Sequence, residues 1–136
     1  MADAVTLTFK LSASFSSETF ANTVSTCTVT PEAGSDTAGV KLQTIGTTWE
    51  ALDLGDVDVS KRYFVCVTNK SDTDIVTVKA KLSSSPTYGV DHALHPGEGM
   101  VFPMPAQSGS YPQIGALFTS ASGSIQLVAS DVGTPA

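Results

Sequence analysis

Strict alternation at the N-terminus constrains this chain more than any other feature. Val5, Leu7, Phe9, Leu11, Ala13 and Phe15 fall on one face of an extended segment, and Thr6, Thr8, Lys10, Ser12 and Ser14 fall on the other. A period of two is a strand period, with one face buried and one wet. The same habit recurs along the chain. Residues 22–30 form a Thr-rich, β-branched run in which Val24 is out of phase with Cys27 and Val29, which predicts a bulge. Residues 31–39 read as a loop, 40–45 as a short strand, and 49–54 as an apolar patch closed by Gly55.

A long apolar run over 62–69 is expected for a central strand, and 74–82 alternates with Val76, Val78, Ala80 and Leu82 inside. The polar stretch 69–73 between them predicts a hairpin. A weaker strand over 87–94 is interrupted by Gly89. A Pro-Gly turn at 95–99 leads to a strand over 100–104, placed at a sheet edge by Pro103 and Pro105, which cannot donate to a ladder. Segments 113–119 and 124–130 predict a second hairpin across Ser120-Ala121-Ser122-Gly123, and 131–136 a loose tail. Eight to nine short strands with no helix-period segment predict a single all-β domain over 1–136. Its architecture is a β-sandwich, jelly-roll or immunoglobulin-like.

Composition narrows the function. Charged residues make up 15% of the chain, while 17 Ser and 17 Thr supply much of its polarity. Only 7 residues are Lys or Arg and the net charge is -6, too few cations for a protein that grips phosphates, so no nucleic-acid partner is expected. The start Met1-Ala2-Asp3-Ala4 has no basic segment followed by an apolar block, and no run reaches the roughly 20 residues of a membrane span. Cys27 and Cys66 do not make a disulfide framework. They read first as buried free thiols, and otherwise as a single bridge. Asn69-Lys70-Ser71 matches a glycosylation sequon, with little weight where no signal peptide is expected.

Five constellations bear on chemistry. His92, His95 and Glu98 carry ligand-type groups, but His-x-x-His on an extended strand points the rings to opposite faces, and polar residues beside a turn are the plainer reading. Glu50, Asp53, Asp56 and Asp58, with Asp72 and Asp74 as further candidates, offer oxygens for calcium. Their spacing fits no EF-hand loop, and a solvated acidic rim is the plainer reading. Gly97 and Gly99 precede a strand rather than a helix, so they form no phosphate loop. No Gly-x-Ser-x-Gly elbow exists, and two His beside one turn leave a triad nowhere to assemble. Trp49, Tyr63, Tyr88 and Tyr111 offer a sugar-stacking platform, although several lie in core phase. No catalytic, cofactor or metal residue is assigned on these grounds.

The second half carries a resemblance. Leu52-Asp53-Leu54, then Arg62-Tyr63-Phe64-Val65-Cys66-Val67-Thr68-Asn69, a Val-rich strand, the Leu94-His95-Pro96-Gly97-Glu98 turn and a final Ile125-Gln126-Leu127-Val128 strand resemble small β-sandwich virion proteins of tailed bacteriophages. The resemblance implies a non-enzymatic structural protein of the virion, assembled in the host cytoplasm. The first expectation is a capsid decoration (cement) protein that binds the outer surface of the major capsid shell as an oligomer, most simply a trimer. A neck, tail or fibre protein with a glycan- or receptor-binding role is the alternative. A cupin-like metalloenzyme is the remote one. The N-terminal strand and the edge near Pro103 are the expected subunit contacts.

Overall fold

The computed structural model describes the backbone of residues 5–11, 14–15, 18–19, 23–29 and 37–131, with side chains described for 41–130. Among these residues the chain is all-β. Strands β1 (Val5–Leu11) and β4 (Thr23–Val29) form a two-stranded antiparallel ribbon, and β2 (Ser14–Phe15) pairs with β3 (Glu18–Thr19). The ribbon keeps one register throughout, from Val5 opposite Val29 to Leu11 opposite Thr23. The expected bulge in this run is therefore absent: Val24 pairs in line opposite Lys10. The long strand expected over 5–15 is instead two pieces with different partners.

Eight further strands make a sandwich of two four-stranded antiparallel sheets. They are β5 (Thr37–Ile45), β6 (Glu50–Ala51), β7 (Tyr63–Asn69), β8 (Val76–Lys81), β9 (His92–Leu94), β10 (Gly99–Met104), β11 (Gln113–Phe118) and β12 (Gly123–Asp131). The first sheet has the order β10-β7-β12-β5 and the second β6-β11-β8-β9. Of these eight strands, only β8 and β9 are both consecutive and paired; every other connection among them crosses between the two sheets. This order is that of a jelly roll. It settles the choice that the alternation left open.

Both expected hairpins are overturned by this order. β7 and β8 lie in different sheets, as do β11 and β12, so each connection is an arch over the end of the sandwich. Alternation fixes which face of a strand is buried, but it is the same for two strands side by side and two strands face to face. The segment 87–94 also shortens: β9 holds three residues, preceded by an isolated bridge between Lys81 and Tyr88. A register shift does occur, in β12 against β5, between Leu127 and Ala129. Of the expected loop 31–39, residues 37–39 belong to β5 and 31–36 lie outside the described residues, as does the tail beyond Asp131.

The core lies between the sheets. Ile45, Tyr63, Val65, Val67, Ile125, Leu127 and Ala129 from the first sheet meet Val76, Val78, Leu94, Ile114, Ala116 and Phe118 from the second. β7 is central, between β10 and β12, which accounts for its apolar run, and β10 is an edge strand as Pro103 requires. Phe64, in the opposite phase of β7, is also buried but stands outside the core cluster.

Candidate functional site

The outer face of the second sheet gathers three aromatic and two basic side chains. Thr77, Lys79 and Lys81 alternate with the core residues of β8 and so point away from the core. Trp49, just before β6, reaches over β11 at Gly115; a Cβ there would lie 2.3 Å from the indole carbons, so only glycine fits beneath the ring. The indole N–H donates to the Lys79 carbonyl at 3.1 Å, and Lys79 is the register partner of Gly115. The ring is thus fixed across two neighbouring strands.

Around it stand two tyrosines and two lysines. Tyr88 lies 6.0 Å from Trp49 between ring centres, tilted by 53°. The Lys79 ammonium sits 4.7 Å from the Tyr88 ring centre and 3.7 Å from an Asp91 carboxylate oxygen. The Lys81 ammonium lies 5.7 Å from the Trp49 ring centre and 5.9 Å from that of Tyr111, within cation–π range of both. Three of the four aromatics expected as a platform therefore do share one face. Tyr63 does not: it is a core residue. Its buried hydroxyl has Gln107 for a polar neighbour but no hydrogen bond of good geometry, and burial raises its pKa.

The two histidines separate, as the strand geometry requires. His92 is half-buried and meets Phe102 edge-on, with ring centres 5.2 Å apart. His95 is exposed, and its Nδ1 lies 3.2 Å from Glu98 Oε2, which also accepts the His95 backbone N–H at 2.8 Å. That backbone bond first, and the His95 ring second, lower the Glu98 pKa. Gly97 takes φ of 82° to close this turn.

The acidic residues are divided among turns. Glu50 accepts from Gly46 N–H at 2.8 Å. Asp53 accepts from Gly55 N–H and pairs with Lys41 at 3.2 Å, and these contacts, in that order, lower its pKa. Asp58 caps Ser60. Asp74 reaches the other arch, where its Oδ2 accepts the N–H groups of Ser120 at 2.8 Å and Ala121 at 3.0 Å. Among the described residues no three His, Cys, Asp or Glu stand close enough together to hold a metal ion.

In sequence, Asn69 is a strand-ending residue that opens a turn and a sequon. It is fully buried and ties three segments together. Its side-chain amide donates to the carbonyls of Asp74 at 2.8 Å and Leu94 at 2.9 Å, and its oxygen accepts from Ser71 N–H. Its backbone bonds both Glu98 and Gly97. An Asn ending an apolar central strand was the available signal, because a buried amide needs partners.

A second feature is a cleft of about 330 Å³ between the edges β9 and β10, lined by Val78, Ala80, Val90, Met100, Phe102 and Ile114 among others. Val90 at its rim is 76% exposed. On the far side of the sandwich Leu42 is 72% exposed. Cys66 is a free thiol on the outer face of the first sheet, half-buried between Val101 and Val128, and burial raises its pKa. The side chain of Cys27 lies outside the described residues.

The strand order defines the class of this protein as a jelly-roll sandwich preceded by a β-ribbon. No protein-family model and no curated protein matches the chain. A solved structure of Bacillus endospore appendages, described as forming a novel family of disulfide-linked pili, is similar in fold. It aligns over 74% of this chain and 88% of its own, with a TM-score of 0.51 and 13% sequence identity.

Proposed function

We propose that this chain is a non-enzymatic structural subunit that assembles with copies of itself. One observation carries the reading: among the described residues the β1–β4 ribbon hydrogen-bonds to neither sheet of a sandwich whose core is already built from β5 to β12. A two-stranded ribbon is marginal alone in water. Its sequence alternation supplies an apolar stripe, and its two outer edges leave backbone groups to be paired. A neighbouring copy satisfies both needs. The endospore appendage protein, a pilus component with a similar fold, supports an assembling role. The resemblance to phage virion proteins supports the finer form, a decoration protein on the outer surface of a capsid shell, with a neck, tail or fibre position as the variant.

Light scattering on the full chain and on a form lacking residues 1–15 tests this. The full chain is expected to form a defined oligomer, and the shortened one a folded monomer. A monomeric full chain at high concentration overturns the reading, and equal assembly of both forms removes the N-terminal strand from it. Quantitative mass spectrometry of purified virions tests the finer form. A ratio near one copy per major capsid protein supports decoration, a few dozen copies or fewer a tail or fibre position, and absence ends the virion version.

A further inference from the structure

We infer that the outer face of the second sheet is a binding site for an acidic sugar, a pyranose carrying a carboxylate. The inference rests on the two ring faces and the cation between them, and it does not depend on how the chain assembles. Sugars present their C–H faces to aromatic rings, and carboxylates seek ammonium groups. Both requirements are met within one patch. Trp49 is held flat enough to cover Gly115 and is fixed by its bond to the Lys79 carbonyl, so a ligand orders no indole on binding. Tyr111 stands across Lys81 from it, and Tyr88 borders the same ring at 6.0 Å.

The two lysines differ in what they already hold. Lys79 is neutralised by Asp91 at 3.7 Å. Lys81 has no carboxylate within ion-pair distance among the described residues, and its ammonium is held only by the rings at 5.7 and 5.9 Å. In a chain of net charge -6, an uncompensated cation between two aromatic rings is a local exception. A carboxylate draws that ammonium off the rings at little cost, and the freed ring faces accept the pyranose. A neutral sugar gains the stacking but not the charge.

The chain has a single Trp, and it lies in the patch, so its fluorescence reads the site directly. The full-length protein is titrated with tetragalacturonate and, separately, with its methyl ester. Saturable change in Trp49 emission is expected with the acid and a much weaker one with the ester. Lys81→Gln is expected to weaken the acid about tenfold while Lys70→Gln leaves it unchanged. Far-ultraviolet circular dichroism and thermal melts of the ligand-free variants matching those of the wild type verify that they fold. No response to either sugar overturns the inference. So does equal binding of acid and ester, or an undiminished affinity in the Lys81 variant.

Discussion

The two ends of the sandwich are built on opposite terms. At one end the connections are short: residues 46–49, 70–75, 95–98 and 119–122. They bond to one another, through Asn69 to Gly97 and Glu98, Thr119 to Ile75 at 3.1 Å, and Asp74 to Ser120 and Ala121. At the other end the connections are long: residues 52–62, 82–91 and 105–112. Among the described residues, backbone bonding there is mostly local, such as Lys61 to Asp58 and Leu82 to Thr87, with Gln107 to Val59 at 2.8 Å joining two loops. Tyr88 and Tyr111 of the aromatic face come from the long loops. A stapled end lets the opposite end vary without loss of the fold, which is the usual division between scaffold and recognition.

The comparison breaks hardest at Asn69. Asn69→Ala leaves the Leu94 carbonyl without its buried donor and loosens both neighbouring turns, so chemical denaturation is expected to show a loss of about 3 kcal/mol. Gly115→Ala comes next, because the added methyl collides with the indole and with the Glu50 carbonyl. A cost of about 1–3 kcal/mol is expected, together with altered Trp emission.

Asp74→Asn is a smaller change, seen mainly in pH dependence. The N–H groups of Ala121 and Ser120, then that of Ile75, hold the folded carboxyl below its ordinary value. Its contribution is complete above the unfolded pKa of about 3.9 and is lost as pH falls through the folded one. Thermal melts at descending pH should therefore fall more steeply for the wild type than for the variant below about pH 4. The smallest effect belongs to the long-loop end. Ser84→Ala, at an exposed position, is expected to stay within about 0.5 kcal/mol. A large loss there would erase the contrast between the ends.

Much of the fold was legible because burial has a period. The central position of β7, the edge position of β10 and the inward phase of β8 all follow from side-chain alternation and from proline's missing donor. What alternation does not encode is the partner. Residues 69–73 and 120–123 have turn chemistry that serves a hairpin or an arch equally. The decisive group is the Asp74 carboxylate, which binds a loop 46 residues away. The aromatic face was legible by residue type but not by membership. Tyr63 and Tyr111 look alike in sequence, yet one is the first core residue of β7 and the other lies in a loop beside Lys81. Gly115, which lets Trp49 lie across the strands, reads in sequence only as a weak point in a strand.

The register of β12 on β5 places Ser130 beside Thr37, so the sandwich is entered and left by adjacent antiparallel strands at its long-loop end. Tension applied at those two points would open the ladder from one side, parting its bonds in turn rather than all at once. If the proposed assembly holds, a material made of such units would gain little strength from pulling along the chain. Its toughness would then come from contacts between neighbours, with the sandwich acting as a brick and not as a link.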